Sequence, residues 1–366
     1  MKEFNLDKFL STPLPTEEEI ISSWQGDTIK PVVSVVCLTY NQDKYIEDAI
    51  RGFLIQRTSF PFEVIIHDDA STDSTAKKIL EYKERYPNII KPVIQAENQY
   101  SKSPFSVMSE AFKVASGEYV AICEGDDFWI DEVKLQSQFS MMKLNPEIKI
   151  CFHTCHETGG AQVKQLLKRF LLYPKKVGIV DAGEIIRNGG GYMPTASIFM
   201  KKTEMINFPD WFSSCPVGDY FMQIILANPG GALFSPKVMS VYRKFADGSW
   251  SEKISKSSEF SVAHSIKMAD SLNKLKLYFS SRYGDEIDGV INLMILSVLL
   301  NKYIDKAHKE RLISFIPESV MVKEAYRAAQ SPHDPRSILI RHVMSGYLSL
   351  LRFVRIFKVS CKWAAK

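Results

Sequence analysis

The sequence contains no long hydrophobic run and no strong excess of charge. Its longest apolar stretch, residues 290–300, is interrupted by Asn292 and Ser297, whereas a membrane-spanning helix needs about 20 apolar residues. We therefore expect no transmembrane segment. Basic residues exceed acidic residues by 46 − 42 = 4, and so small an excess does not indicate binding of nucleic acid.

Cysteine is also scarce, with six residues in a chain of 366. The first ten residues include acidic side chains rather than the basic start of a secretory signal. These two features predict a cytoplasmic protein whose cysteines are free thiols. Apolar residues make up 45% and charged residues 24% of the chain, as in ordinary globular proteins, which excludes a wholly disordered or fibrous chain.

Strand-like and helix-like patterns alternate from residue 31 onward. Continuous β-branched runs predict buried strands, and apolar residues at helical spacing predict the helices between them. The predicted strands are 32–38, 62–67, 89–95 and 117–123, and the predicted helices are 45–54, 76–85 and 107–115. This alternation predicts an α/β fold with a doubly wound, mostly parallel sheet, in which ligands bind beyond the carboxyl ends of the strands.

The rest of the chain divides into three further parts. Residues 1–30 form a polar N-terminal arm, in which Thr16 and Glu19 have the spacing of a capping box. Residues 151–250 mix short strands with a helix over 220–227. Residues 251–366 have a helical pattern. At roughly 150 residues per domain, the length allows two domains or one large one.

Acidic residues follow two of the predicted strands directly. Asp68 and Asp69 end the second strand, where they can bind a ligand or cap a turn. Glu124, Asp126 and Asp127 follow the fourth strand. Crowded carboxylates repel one another unless a cation lies among them, and Mg²⁺ or Mn²⁺ prefers such oxygen ligands and can bridge a diphosphate. The alternative for the second group is an acidic helix N-terminus.

Four short motifs together resemble a known family. They are Val-Val-Cys-Leu-Thr-Tyr-Asn at 35–41, Ile-His-Asp-Asp-Ala-Ser-Thr-Asp at 66–73, Ala-Ser-Gly-Glu-Tyr at 115–119 and Glu-Gly-Asp-Asp at 124–127. In this combination the chain resembles the family-two, inverting glycosyltransferases of GT-A fold, most clearly over 33–145 and weakly to about 251. The resemblance implies that 31–150 is the nucleotide-sugar-binding half and 151–250 the half that binds the acceptor and carries the base.

The resemblance also implies roles for residues at the strand ends. Thr39, Tyr40 and Asn41 would line the pocket for the nucleotide base. Asp69 would accept a hydrogen bond from N3–H of that base, and Asp68 lies beside it.

Residues 124–127 stand where the family usually has Asp-x-Asp. Asp126 would hold Mn²⁺ or Mg²⁺ on the sugar diphosphate, and Glu124 would approach the ribose or the metal through water. Gly125 and Asp127 belong to the same binding segment. The glutamate at 124 keeps a carboxylate where relatives have aspartate.

Two further segments match the family in part. Asp219 opens a helix after a glycine, where relatives carry the general base of an inverting transfer; the alternative is that it only caps the helix. Relatives often have a metal-binding histidine where this chain has Phe245. Either the metal is then held more loosely, or Arg243 and Lys244 supply positive charge to the phosphates instead. The alternative for Arg243 is a surface ion pair.

The C-terminal residues 336–366 combine apolar and basic residues without an acid. Such an amphipathic helix can lie on an anionic membrane surface or pack against the protein itself or a dimer partner. The membrane alternative suits a polyprenyl-linked acceptor and places the protein at the inner face of the cell membrane. Residues 151–156 contain two cysteines and two histidines, but their spacing fits no standard zinc site, so they line the acceptor pocket or pack in the core.

The expected function is therefore transfer of a sugar, with inversion, from a nucleotide-sugar donor such as a UDP-sugar. The acceptor would be a hydroxyl of a glycan or lipid-linked glycan in bacterial surface-polysaccharide synthesis. The alternative is a non-catalytic nucleotide-sugar or glycan-binding module, which only Phe245 favours. A nucleotidyltransferase would need a glycine-rich basic loop after the first strand, and residues 39–43 do not provide one.

Overall fold

The protein is described by a computed structural model. The described residues are 6–100, 104–158, 172–203, 208–244, 246, 257–299, 301 and 303–315. Contacts along the chain divide it into two compact units. The first comprises Met1–Gln165 and Pro174–Ser249, and the second comprises Leu166–Tyr173 and Trp250–Lys366. The functional division of the chain at residues 150 and 250 stays a prediction.

The first unit contains strands with helices between them. Its strands are β1 Val33–Thr39, β2 Phe62–Asp68, β3 Ile90–Ile94, β4 Tyr119–Glu124, β5 Phe128–Trp129, β6 Ile150–Thr158, β7 Gly178–Val180, β8 Phe199–Lys201 and β9 Ala232–Arg243. Its α-helices are α1 Leu6–Ser11, α2 Glu17–Ser22, α3 Ile46–Leu54, α4 Thr75–Arg85, α5 Pro104–Val114, α6 Lys134–Leu144, α7 Ala182–Asn188 and α8 Gly218–Ala227. Three short 3₁₀ helices, Gly190–Tyr192, Thr195–Ser197 and Asp210–Ser214, connect the later elements.

The described strands form one nine-stranded sheet in the order β3-β2-β1-β4-β8-β6-β9-β5, with β7 paired to β9. Strands β1 to β4 are parallel to their neighbours in that group. Strand β8 joins this half antiparallel to β4 and β6, while β6 and β9 are parallel. The predicted α/β fold with a mostly parallel nucleotide-binding core is confirmed, and its second half is mixed.

Burial explains the continuous apolar runs of the central strands. All seven residues of β2 are buried, and so are six of the seven residues of β1. Helix α3 contributes Ile46, Ala49, Ile50 and Phe53 to the same core. A strand covered on both faces needs apolar side chains on both faces, which is why the sequence shows no alternation there.

The N-terminal arm packs on the first unit as an ordered element. Thr16 and Glu19 form the predicted capping box of α2. Glu17, only 8% exposed, accepts hydrogen bonds from the backbone N–H groups of Asn88 at 2.7 Å and Ile89 at 3.0 Å. This carboxylate therefore fixes the arm to the loop that precedes β3.

In the second unit the described helices are α9 Ser258–Tyr278, α10 Gly284–Leu299 and α11 Lys306–Ser314. They share an apolar cluster that includes Val262, Leu296 and Leu312. Among the described residues, no helix is both long enough and apolar enough to cross a membrane. The predicted amphipathic segment 336–366 lies outside the described residues.

Candidate active site at the carboxyl ends of the central strands

The parallel register brings three strand ends to one edge of the sheet. Thr39 pairs with Asp68 across β1 and β2, and Leu38 pairs with Glu124 across β1 and β4. Beyond the strands, the Asp69 N–H donates to the Thr39 carbonyl at 3.0 Å. Two of the predicted groups, the first-strand turn and the acidic segment at 124–127, therefore flank each other at the edge where such sheets bind ligands.

Glu124, Asp126 and Asp127 form a tight acidic cluster. One carboxylate oxygen from each lies within 4.8 Å of one from each of the others. Asp126 is 8% exposed and Asp127 is fully buried. Asp127 Oδ1 accepts a hydrogen bond from the Arg243 N–H at 2.8 Å, but its buried Oδ2 has no hydrogen-bond partner among the residues that the structure describes. A buried carboxylate oxygen without a donor is costly, so the cluster is short of positive charge.

Burial and mutual repulsion shift the proton affinities of this cluster. Burial, together with the charges of Asp126 and Asp219, raises the pKa of Glu124 to about 8. Burial raises the pKa of Asp126 to about 6, although Arg243 and Gln42 oppose this rise. Burial and the neighbouring acids also raise the pKa of Asp127 well above its usual range. All three carboxyls hold their protons more tightly than in water, as expected where a cation is needed to balance them.

Gly125 allows this segment to pass close to the first-strand turn. A Cβ at Gly125 would lie 2.5 Å from Gln42 Oε1 and 2.7 Å from Thr39 Oγ1. The Thr39 hydroxyl also donates to Gln42 Oε1 at 2.8 Å. Glycine at this position therefore has a packing reason, because any side chain would push the acidic cluster away from β1.

The donor set fits a hard divalent cation. Three carboxylates, one unpartnered buried oxygen and raised pKa values are what Mg²⁺ or Mn²⁺ would relieve. Asp126 is the metal ligand predicted from the sequence, and the structure brings Glu124 and Asp127 within reach of the same ion. The sequence analysis grouped the three carboxylates, and the structure shows that the side chain of Asp127 points toward the other two.

Asp68 and Asp69 lie beside this cluster but bind the protein's own donors. Asp68 accepts from the Ser71 N–H at 3.0 Å and from the Ser71 hydroxyl. Asp69 accepts from the N–H groups of Gln99 at 2.7 Å and Tyr100 at 3.0 Å. Asp68 thus forms a turn and Asp69 holds the loop after β3, while its predicted contact with a nucleotide base stays a prediction.

The predicted base pocket is built from cross-linked loops. Asn41 adopts a positive φ of 52°, a conformation that asparagine tolerates better than most residues. Its side-chain oxygen accepts from the Thr72 N–H at 2.7 Å, and its own N–H donates to the Ser71 hydroxyl at 2.8 Å. Tyr40 is 44% exposed beside it. These contacts fix the conformation of the turn that is predicted to line the pocket for the nucleotide base.

Asp219 is the second residue of α8, which begins at Gly218, two residues before the start of the predicted helix at 220–227. The N-cap is Val217, and no side chain caps the helix. Asp219 Oδ2 accepts from the Thr195 hydroxyl at 3.1 Å, and Oδ1 from the Tyr220 N–H at 2.8 Å. Burial raises the pKa of Asp219, although these two hydrogen bonds oppose the rise.

Asp219 and the acidic cluster share one electrostatic environment. The charge of Asp219 contributes to the raised pKa of Glu124. Tyr242 and Tyr100 each have a raised pKa through burial first and then through the charges of Glu124 and Asp219 among other acids. The structure therefore brings the predicted base and the predicted metal-binding segment to the same part of the first unit.

Arg243 is held by protein groups. Its guanidinium donates to the Asp126 carbonyl at 2.8 Å, forms an ion pair with Asp48 and lies 4.4 Å from the centre of the Phe128 ring. Arg243 therefore links the acidic segment at 124–127 to α3. Its contact with phosphate stays a prediction. Lys244 is exposed. Phe245 lies outside the described residues.

Sequence reasoning missed Gln42, Asp48 and Thr195. Gln42 is adjacent to the turn at 39–41 and could have been included from its position. Asp48 and Thr195 act through contacts 195 and 24 residues apart along the chain, and no local motif marks either of them. Residues 151–155 pack as a buried strand, with Cys155 Sγ 2.8 Å from Ser240 Oγ. The five cysteines in the described part of the chain are buried, and none of them forms a disulfide.

The part of the chain that contains the acidic cluster matches a known protein family. The family model described as "Glycosyl transferase family 2" matches residues 34–202, which include β1, β2, β4 and the acidic cluster. An uncharacterised protein of Mycobacterium tuberculosis, Rv1520, is 31% identical over 304 residues, covering 82% of this chain and 85% of the relative.

A second relative has a named activity. The UDP-Glc:alpha-D-GlcNAc-diphosphoundecaprenol beta-1,3-glucosyltransferase WfgD of Escherichia coli is 33% identical over 114 residues, covering 31% of this chain and 42% of the relative. Among solved structures, the mannosyltransferase PcManGT of Pyrobaculum calidifontis, in complex with GDP-Man and Mn²⁺, has a TM-score of 0.53 at 16% identity. That match covers 94% of this chain and 86% of the other. On the family match and the relative that aligns over 82% of this chain, the chain belongs to glycosyl transferase family 2.

Proposed function

We propose that this glycosyltransferase moves a sugar, with inversion at the anomeric carbon, from a UDP-sugar to a hydroxyl of a lipid-linked glycan. A divalent cation held by Glu124, Asp126 and Asp127 would assist the leaving diphosphate, and Asp219 would be the general base. The reaction would take place during synthesis of a bacterial surface polysaccharide.

The observation that carries this proposal is the unbalanced acidic cluster. Three carboxylates lie within 4.8 Å of one another, with a buried Asp127 oxygen that has no donor. A purely structural cluster would have its oxygens satisfied by N–H groups or basic side chains. A cation bound there supplies the positive charge that stabilises a departing diphosphate.

The chain's own residues would carry out the proton transfer. An inverting transfer needs one base, which takes the proton from the acceptor hydroxyl as its oxygen attacks the anomeric carbon. The new glycosidic C–O bond forms while the bond to the diphosphate oxygen breaks, and the electron pair of that bond leaves with UDP. Asp219 is suited to accept the proton because burial raises its pKa and thereby its basicity. Its Thr195 and Tyr220 contacts fix the direction of the carboxylate.

The donor and acceptor rest on the relatives. The printed activity of WfgD uses UDP-Glc and a diphosphoundecaprenol-linked acceptor, whereas the structure of PcManGT contains GDP-Man. We propose a UDP-sugar and a polyprenyl-linked acceptor by analogy with WfgD. The basic segment 336–366 would then hold the enzyme at the inner membrane surface, where such an acceptor is found.

The test is release of nucleoside diphosphate from a panel of UDP- and GDP-sugars, with Mn²⁺, with Mg²⁺ and with EDTA. Undecaprenyl-diphosphate-linked N-acetylglucosamine in detergent serves as the acceptor. We expect UDP release only with a divalent cation and a product with inverted anomeric configuration by NMR. Release of GDP alone would overturn the choice of donor. A product with retained configuration would overturn the mechanism.

The same assay tests the alternative of a non-catalytic binding module. Such a module would bind a UDP-sugar, seen as an increase in melting temperature, without releasing UDP. That outcome would remove the catalytic proposal and leave the cation site to be tested by itself.

A further inference from the structure

Three buried side chains hold the backbone of residues 193–197, next to the proposed base. Each donates a hydrogen bond to a different carbonyl of this short segment, which contains the 3₁₀ helix Thr195–Ser197. The three bonds are Gln223 Nε2 to the Met193 carbonyl at 2.8 Å, Trp129 Nε1 to the Ala196 carbonyl at 2.9 Å and Gln138 Nε2 to the Ser197 carbonyl at 2.8 Å. The donors come from α8, β5 and α6, so the segment is fixed from three directions.

The donor on α6 is itself oriented by a buried cation. Lys134 is fully buried, donates to Gln138 Oε1 at 2.7 Å and lies 3.8 Å from the centre of the Trp129 ring. Because the oxygen of Gln138 faces Lys134, its amide nitrogen must face the Ser197 carbonyl. Lys134, Gln138 and Trp129 thus restrain one another, and hydrogen bonds within a buried network hold its members in place. Among the described residues, buried Gln223 Oε1 has no hydrogen-bond partner, so only its amide nitrogen takes part.

Thr195 is the residue of this segment that reaches Asp219. Met193, Ala196 and Ser197 are fully buried, whereas Thr195 is only partly buried. Its hydroxyl donates to Asp219 Oδ2 at 3.1 Å. Gln223 lies one helical turn after Asp219, so the segment and α8 are joined at two points on the same side of the helix.

We propose that Thr195 is a positioning residue, whose hydroxyl directs the Asp219 carboxylate toward the acceptor. This inference rests on the proposed function, because it assumes that Asp219 is the base. The buried network gives Thr195 a fixed position from which a single hydrogen bond sets the orientation of the carboxylate. A base that is only slightly misplaced loses much of its rate advantage.

The pKa of Asp219 provides a test of this proposal that a purely structural role of Thr195 would not affect. Burial raises the pKa of Asp219, while the Thr195 and Tyr220 hydrogen bonds lower it. The other titratable groups that interact with Asp219 are Glu124, Tyr100 and Tyr242. Removing the Thr195 hydroxyl should therefore raise the pKa of Asp219 further and move the acid limb of the rate profile to higher pH.

The experiment compares Thr195→Val with Thr195→Ser. Valine keeps the shape and removes the hydroxyl, whereas serine keeps the hydroxyl. The assay is UDP release with Mn²⁺ from the UDP-sugar that gives turnover with the wild-type protein. We expect Thr195→Val to lower kcat about tenfold, to leave the donor KM unchanged and to shift the acid limb upward. Thr195→Ser should restore both kcat and the profile.

A double variant separates this inference from the proposed function. If Thr195 acts through Asp219, adding Thr195→Val to Asp219→Asn costs no further activity, because the two effects are not additive. A further tenfold loss in the double variant would show a general structural role and overturn the inference. An unchanged kcat and pH profile in Thr195→Val would also overturn it. Full activity in Asp219→Asn would instead overturn the proposed base, whatever Thr195 does.

Discussion

Two glutamates at opposite ends of the parallel strands behave in opposite ways. Glu63 near the start of β2 is 1% exposed, and Glu124 ends β4. Burial disfavours the charged form of both. At Glu63 hydrogen bonds from Lys91, Ser34 and Ser116 outweigh burial, and its pKa is lowered. At Glu124 no such donors oppose burial, and its pKa rises to about 8.

The difference separates a structural acid from the acid that we propose binds a cation. Glu63 Oε1 accepts from the Ser34 hydroxyl at 2.6 Å and from the Ser116 N–H at 2.6 Å, while Oε2 accepts from the Lys91 ammonium. It joins β1, β2, β3 and the loop before β4 with donors that belong to the protein. Among the described residues, the carboxyl-end cluster has more negative charge and fewer donors, which supports the proposal that it binds a cation.

The largest expected effect follows from removing one charge of the cluster. Asp126→Asn should lower the rate of UDP release at least about 100-fold, since a ligand of the charge that stabilises the leaving group is lost. The melting temperature without metal should stay the same or rise, because one repulsive charge is gone. Activity assays and thermal unfolding with EDTA measure the two effects. Wild-type activity in this variant would place the cation elsewhere.

At the opposite end of the strands, replacing a carboxylate by an amide should lower stability and leave activity unchanged. Glu63→Gln should lower the free energy of unfolding by about 2–3 kcal/mol, because hydrogen bonds to a charged group are lost and the Lys91 ammonium loses its partner. UDP release at a temperature well below unfolding should stay at the wild-type level. Urea denaturation measures the first effect. A loss smaller than about 0.5 kcal/mol would mean that Glu63 is not the structural acid described here.

Gly125 tests how closely the cluster must approach β1. Gly125→Ala should cost about 1–3 kcal/mol of stability, because its Cβ would lie 2.5 Å from Gln42 Oε1, and it should lower activity by displacing Asp126. Gly289→Ala in α10 is the matched control, since a Cβ there meets nothing within 4 Å. Alanine is the better helix former, so the control should gain up to about 1 kcal/mol. Equal stability changes in the two variants would contradict the packing argument.

The repulsion within the cluster has its own test. Glu124→Gln should raise the free energy of unfolding without metal by about 1 kcal/mol, since a neutral amide avoids the cost of burying or protonating a carboxylate beside Asp126 and Asp127. It should also reduce the stabilisation that added Mn²⁺ gives the wild-type protein, measured by thermal unfolding against Mn²⁺ concentration. If Glu124→Gln lowered the free energy of unfolding as much as Glu63→Gln does, the contrast between the two glutamates would be wrong.

The parallel half of the sheet and the acids at its strand ends can be predicted from the sequence. The parallel half of the fold was predictable, because buried strands such as β1 and β2 must be apolar on both faces. The strand-end acids were predictable for the same reason, since Asp68 and Glu124 interrupt those runs. Nothing local distinguishes the satisfied Asp68 from the unsatisfied Asp127, because the difference lies in the donors that reach each of them through the fold.

Long-range partners account for the rest of the site. Arg243 is a plausible phosphate ligand from its place in the sequence, yet the structure directs it to Asp48 on α3. Thr195 has no motif, and its importance comes from the three buried donors around it. Contacts of this kind depend on the packing of elements that are far apart in the chain, so they cannot be predicted from the spacing of residues in the sequence.

The smallest expected effect is the dependence of stability on pH at Glu63. Because the folded-state pKa of Glu63 is lowered, its contribution is fully present above the pKa it has in the unfolded chain. It is lost as the pH falls through the lower, folded-state value. Other carboxyls titrate in the same range, so the measured quantity is the difference in unfolding free energy between the wild-type protein and Glu63→Gln.

That difference should be constant from about pH 6 to pH 7 and should decrease as the pH is lowered below the pKa of an unfolded glutamate, which is about 4.3. Urea denaturation at each pH measures it. If the difference instead grew on acidification, the pKa of Glu63 would be raised, as at Glu124. Burial would then raise the pKa of both glutamates, whether or not donors surround them. A lack of donors could no longer support the proposal that the acidic cluster binds a cation.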